Sequence, residues 1–177
     1  MAEAYYSFWL VPQTPDLEDF QGIINTLSKR FNTVPFCPHV TLYSGPVPSE
    51  LDLQTVLAEL GSMARMARFE LGILGVDHSD RFAKSLYVQL QPAPFLDQLV
   101  SALVTTIPDA QMPVLDPHLS LLYHNLDEAN KQKLTRAISL SRSTIRFNQV
   151  QVMAAPQTFE TQEHVSSLRC VQQQLLR

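Results

Sequence analysis

What the chain lacks narrows its class before any motif is read. Two cysteines, Cys37 and Cys170, in 177 residues cannot make a disulfide framework. A reducing cytoplasm is the simplest setting, and a single Cys37–Cys170 bridge is left open. No apolar run reaches the roughly 18 residues of a membrane-spanning helix, so no membrane partner is expected. The opening MAEAYYSFWLVPQTPD has no basic leader before a long apolar stretch and does not read as a signal peptide. Basic residues are in the minority: 13 Lys and Arg against 17 Asp and Glu leave a net charge of −4. Proteins that grip long nucleic acid neutralise phosphates with Lys and Arg, so long RNA or DNA is disfavoured, whereas a nucleotide in a local pocket is not. A glycine-rich strand-to-helix turn is missing, which removes support for a Rossmann or P-loop reading. Neither HxxxH nor CxxC spacing occurs, so no metal site is expected.

What is present supports a folded core: hydrophobic residues make up 45% of the chain and charged residues 17%, too few for a disordered one. The length fits a single domain over residues 1–177, or two intimately joined halves, and nothing demands more than a monomer. Apolar residues recur at helical spacing over Asp16–Phe31, Ser49–Met66 and Pro94–Ile107, with Asp16 and Ser49 as candidate caps, and a fourth, more polar segment over Asp127–Leu140 reads as a surface helix. Runs rich in β-branched and aromatic residues predict strands at Tyr5–Val11, His39–Ser44, Phe69–Val76, Ser85–Leu90, His118–Tyr123 and Ile145–Ala154. His164–Val171 reads as a further strand or as the end of a helix. Strands and helices interleave, which indicates an α+β or mixed α/β fold.

One short pattern occurs twice. Pro38-His39-Val40-Thr41-Leu42 and Pro117-His118-Leu119-Ser120-Leu121 align without a gap as Pro, His, apolar, hydroxyl, Leu. In a strand, residues i and i+2 share a face. His39 therefore sits beside Thr41 and His118 beside Ser120, while Val40, Leu42, Leu119 and Leu121 point to a core. A single HxT or HxS would read as an ordinary strand histidine. Two of the chain's five histidines in matched flanks point instead to two halves related by an approximate two-fold axis, meeting across a cleft.

Two facing imidazoles can divide acid and base work near neutral pH, one accepting a proton while the other donates. Phosphodiester hydrolysis needs both acts: a base on the attacking water and an acid on the leaving alkoxide. Thr41 and Ser120 hydroxyls can bond the non-bridging phosphate oxygens as charge builds there. This scheme needs no metal and no cofactor.

The two HxT/S motifs resemble those of the two-histidine (2H) phosphoesterase superfamily. HLSLLY, Trp9 in the first strand, the SLYVQL run and the overall length look like the cyclic phosphodiesterases of the plant and yeast type. The resemblance implies a bilobal α+β fold, with an antiparallel sheet in each lobe, outer helices, and an active-site groove between the lobes. It implies catalytic roles for His39 and His118, with His118 the base and His39 the acid, and phosphate binding by Thr41 and Ser120. The implied substrates are nucleoside 2′,3′-cyclic phosphates, opened to 2′-phosphates, and ADP-ribose 1″,2″-cyclic phosphate. The residues alone do not order the two histidines. Relative to the plant type this chain lacks extra cysteine pairs, which puts redox control in doubt but not the chemistry.

The resemblance also places Tyr123 near the substrate, as in an HxSxxY pattern. Strict alternation objects, because it puts Tyr123 on the face opposite His118 unless the strand ends or bends near Leu122. Trp9 and Phe82 are candidates for stacking on a base, with core packing the equal alternative. Arg81 and Lys84 read as solvated, with positive charge near the substrate the alternative, and Asp77, His78, Asp80, His124, Glu163 and His164 read as turn or surface residues. Cys37 with His39 is a conceivable nucleophile–base pair, but Pro38 intervenes and nothing then explains the second motif. The rival functions are a 2′–5′ RNA ligase or phosphodiesterase acting on RNA ends, a nucleotide-binding module that has lost turnover, and a metallohydrolase. The expected partner is a small cyclic phosphate or an RNA terminus.

Overall fold

The computed structural model describes residues 3–49, 51–63 and 69–176. Helix α1 (Asp16–Phe31) buries Phe20, Ile24 and Leu27 along one stripe, the apolar period read from the sequence. Asp16 does not cap it. The chain enters the helix at Pro15, without a side-chain cap, and Asp16 already lies inside the first turn. Its buried carboxylate instead pairs with the Arg142 guanidinium and accepts the Arg146 amide at 2.7 Å. Arg142 also reaches Asp19. This cluster ties α1 to the start of the longest strand.

Helix α2 (Leu53–Met63) starts later than expected. Asp52 takes the capping position, accepting the Gln54 amide at 3.0 Å and the Thr55 hydroxyl at 2.7 Å, so Ser49 is not the cap. The expected continuation to Met66 lies outside the described residues. Helix α3 (Pro94–Thr106) opens on Pro94, where the missing N–H has no partner to lose, and buries Leu96, Leu99, Val100 and Leu103. Helix α4 (Glu128–Ala137) is capped by Asp127, which accepts the Asn130 amide at 2.8 Å. The ambiguous C-terminal stretch resolves into both alternatives: helix α5 (Gln162–Ser167) followed by a strand from Arg169 to Leu175.

Among the described residues seven strands form: β1 (Glu3–Pro12), β2 (Val40–Pro48), β3 (Glu70–His78), β4 (Leu86–Leu90), β5 (His118–Leu122), β6 (Thr144–Ala154) and β7 (Arg169–Leu175). All their pairings are antiparallel, in the order β2-β1-β6-β3-β4-β5, with β7 also on β6. Strand β6 serves both halves. One edge pairs with β1; along the other, Thr144–Arg146 pair with β3 and Gln149–Ala154 with β7. The halves are therefore β2-β1-β6-β7 and β5-β4-β3, joined through β6. Helices cross between them: α1, which follows β1, packs on β5, and α3, which follows β4, packs on β2. Among the described residues no helix is long and apolar enough to cross a membrane.

Twice the ladder slips by one residue, at matching places. Phe8 faces Tyr43 but Trp9 faces Thr41, leaving Leu42 unpaired. Leu86 faces Leu122 but Tyr87 faces Ser120, leaving Leu121 unpaired. An extra residue in one strand moves every later side chain to the other face. Thr41 and Ser44 consequently share an exposed face while Leu42 and Tyr43 are buried, and Ser120 and Tyr123 share the face of the opposite motif. This removes the alternation objection to Tyr123: the strand slips at Leu121 and ends at Leu122.

Asp16→Ala should lower stability by roughly 1–3 kcal/mol, since it removes the buried carboxylate that holds the Arg146 amide and one side of the Arg142 guanidinium, leaving Arg142 only Asp19. The expected readout is a lower urea midpoint at unchanged slope; an unmoved midpoint would show that the cluster does not hold α1 to β6.

Candidate active site

Strands β2 and β5 approach each other between the halves, and a cavity of about 200 Å³ opens along them. Its lining includes His39 and Thr41 from one motif and His118 and Ser120 from the other. Tyr5, Ser7 and Trp9 line it from β1, as alternate residues on one face of a strand.

The two imidazoles are held alike. His39 Nδ1 lies 2.7 Å from the Cys37 carbonyl, and His118 Nδ1 lies 2.7 Å from the Asp116 carbonyl, each two residues upstream. A carbonyl only accepts, so Nδ1 carries hydrogen in both rings and Nε2 is the unprotonated nitrogen of the neutral ring. Strand neighbours brace the rings. Trp9 stacks on His39 with centroids 3.5 Å apart and planes 2° apart, and Tyr87 meets His118 edge-on at 5.6 Å. The Tyr123 hydroxyl reaches His39 Nε2 at 3.3 Å, donating to it in the neutral ring. Phe36 in turn stacks on Tyr123 at 3.7 Å.

The environments differ in depth. Burial pushes His39 down to about 3; the Cys37 carbonyl opposes the shift and the charge on His118 adds to it. His118, half-buried, is also lowered, first by burial, against the Asp116 carbonyl bond, with Lys84 and Arg81 adding to the effect. Burial raises the Tyr123 phenol, with Cys37 adding, so the phenol stays protonated. Cys37 is pushed up to about 11 by burial and by Cys170. Its thiol is therefore no ready nucleophile at neutral pH, and both cysteines are free.

Placements elsewhere are mixed. Thr41 is exposed to the cavity and makes no side-chain hydrogen bond among the described residues. Ser120 donates to the Ala83 carbonyl at 2.7 Å, so reaching a phosphate oxygen requires its hydrogen to turn. Phe82 does not line the cavity; it packs with Tyr123 and Phe159 behind it. Trp9 lines the cavity but gives one face to His39. Lys84 is not solvated as expected: its side chain is only 11% exposed, paired with Asp116 and lying 4.2 Å over the Tyr87 ring. Among the described residues no three His, Cys, Asp or Glu converge as a metal-ligand set.

Sequence reasoning missed Tyr5, Ser7, Ser44 and Phe159 in the lining. A signal for two of them existed. Ser7-Phe8-Trp9 and Ser85-Leu86-Tyr87 share an S-x-aromatic pattern on the strands that pair with the two motifs, so the repeat is longer than five residues. HxTxxS and HxSxxY likewise align Ser44 with Tyr123. Phe159 carries no such signal, because only the return of the chain after β6 brings it to the cleft.

This fold, with two matched HxT/S motifs facing one cavity, defines a two-histidine phosphoesterase. The chain matches the family described as "Cyclic phosphodiesterase-like protein" over residues 4–173, and it belongs to that family. Solved structures of LigT from E. coli share the fold. The complex with 3′-AMP superposes with a TM-score of 0.56 at 15% identity, covering 99% of both chains. The apo form gives 0.55 at 18% identity and the NADP+ complex 0.53 at 16%, again over 99% of both chains. No curated protein sequence gives a significant match.

Because His39 is held neutral down to about 3, its ring should remain uncharged from pH 8 to pH 4 when followed by ¹⁵N NMR, with Nδ1 protonated. The unfolded chain protonates this histidine near 6.5. Between about 6.5 and about 3 the unfolded state thus binds more protons, and stability falls as pH falls through that window. His39→Gln should remove this part of the acid sensitivity. A His39 resonance titrating near 6.5 would contradict the burial argument.

Proposed function

We propose that the protein hydrolyses ribose cyclic phosphates by paired-histidine acid–base catalysis without a metal, residues 1–177 acting as one unit. The observation that carries this reading is the matched presentation of two imidazoles. Each is locked through Nδ1 to the carbonyl two residues upstream, which turns the two Nε2 atoms away from their own backbone; His118 Nε2 has no partner among the described residues, and His39 Nε2 carries the Tyr123 hydroxyl, which must turn aside for a ligand in the shared cavity. Both rings come from one polypeptide, so the scheme needs only a monomer.

The depth difference orders the roles. His118, half-buried and open to solvent, is the base: its neutral Nε2 takes a proton from water as the oxygen attacks phosphorus. His39, fully buried, is the acid: the bound phosphodiester anion supplies the counter-charge that lets Nε2 take up a proton. A group with so low an intrinsic affinity for that proton then delivers it readily to the leaving 3′ alkoxide. One P–O bond forms, one breaks, and the product is a 2′-phosphate. Thr41 and Ser120 bond the non-bridging oxygens, and Tyr123 orients His39. Trp9 braces His39, and Phe82 supports the aromatic wall behind Tyr123 instead of stacking on a base.

The lining favours one substrate class. None of the residues that line the cavity is Lys, Arg, Asp or Glu, and nearby Lys84 is engaged by Asp116. The enclosed volume, about 200 Å³, is below the roughly 300–1,000 Å³ of sites that swallow drug-sized ligands. A nucleoside 2′,3′-cyclic phosphate, with one negative charge, suits this uncharged lining better than ADP-ribose 1″,2″-cyclic phosphate, whose diphosphate would have to reach beyond it to Arg81 or Lys84, the cations that act on His118. The net charge of −4 likewise disfavours longer RNA.

Purified protein in excess EDTA should convert a nucleoside 2′,3′-cyclic phosphate to the 2′-phosphate, and His39→Ala and His118→Ala should each lower turnover by roughly 10²-fold or more. Retained turnover in either variant would sink the mechanism. In competition, kcat/KM for the nucleoside substrate should exceed that for the ADP-ribose cyclic phosphate by about tenfold, and the reverse ratio would reassign the substrate.

A further inference from the structure

Tyr123 reaches across the cleft to the histidine of the other half, and the two-fold relation asks what stands in its place on the first motif. The one-residue slips align His39-x-Thr41-x-x-Ser44 with His118-x-Ser120-x-x-Tyr123. Ser44 lines the cavity and is exposed to it.

Its hydroxyl is oriented by a chain of bonds. Trp9 Nε1 donates to Ser7 Oγ at 2.7 Å, and Ser7 Oγ lies 2.6 Å from Ser44 Oγ. Ser7 is buried, and a buried hydroxyl hydrogen takes an acceptor. The Trp9 nitrogen only donates, and among the described residues Ser44 is the acceptor within reach of Ser7. With Ser7 giving its hydrogen to Ser44, the direction on which the proposal below rests, the hydrogen of Ser44 is left for a ligand. Ser120 differs, since its hydrogen rests on the Ala83 carbonyl and must turn to reach a ligand.

We propose that Ser44 is a third hydroxyl contact to the substrate's phosphate, held in its donating orientation by Ser7 and, through Ser7, by Trp9. The indole thus has two tasks in the site: its face braces His39 and its N–H begins the bonds that aim Ser44. Ser44 touches substrate, and Ser7 is a positioning residue. The proposal rests on the cyclic phosphodiesterase reading.

The test is kinetics on a nucleoside 2′,3′-cyclic phosphate with Ser44→Ala, Ser7→Ala and the double variant. Ser44 is exposed, so its truncation leaves the fold intact. Ser44→Ala should lower kcat/KM by about 10- to 100-fold, chiefly in kcat, as expected for a donor to charge that grows in the transition state. Ser7→Ala should show part of that loss. The double variant should be no worse than Ser44→Ala alone, because the two act as one unit, and Ser44→Thr should restore most of the activity. A Ser44→Ala enzyme within twofold of wild type would overturn the proposal while leaving the function intact, as would losses that multiply in the double variant. A wild type that turns over no cyclic phosphate would overturn the function and this proposal with it.

Discussion

A β-strand alternates its side chains with period two, and the cleft is built by interrupting that period once in each half. Leu42 and Leu121 are the extra residues. Without them, a side chain three places after Thr41 or Ser120 would point into the core. With them, histidine, hydroxyl and a third polar group stand on one face of each strand. The slips lie opposite S-x-aromatic segments of the paired strands, so the same register that exposes the polar face also sets Trp9 on His39 and Tyr87 beside His118. Such bulges are features that re-aim side chains at functional sites.

From that geometry follows an electrostatic arrangement in which the working charges arrive with the ligand. The lining is hydroxyl, aromatic and imidazole. Both imidazoles are held below their ordinary range by burial. The nearby ion pair of Lys84 and Asp116 closes on itself, keeping the Asp116 carboxyl low and leaving its carbonyl to hold His118. On the proposed mechanism, such a site responds to a single phosphodiester anion by taking up a proton.

Much of this was legible in the residues. The duplicated PHxT/SL pattern named the four central side chains, the helical period placed α1 and α3 to within a residue, and the resemblance supplied the bilobal fold. What escaped depends on register and long-range packing. Whether Tyr123 faces the site turns on a slip at Leu121, which no propensity announces. Asp16 looks like a cap until Arg142 and Arg146 arrive from more than a hundred residues away. Lys84 looks solvated until the loop before β5 brings Asp116 to it. Phe82 reads equally as a stacking ring or as core, and only the turn carrying it, which packs the ring against Tyr123, decides between them. Ser7 and Ser44 were readable only by extending the repeat to the paired strands.

The central claim is that two imidazoles, one from each half, divide one proton between them. The pH dependence of kcat/KM for a nucleoside 2′,3′-cyclic phosphate tests it most directly, measured for the wild type and for His39→Ala and His118→Ala. The account predicts a bell-shaped profile for the wild type, with each variant losing one limb and the two variants losing opposite ones. A profile that keeps both limbs in either variant would place the acid and the base elsewhere and contradict the account.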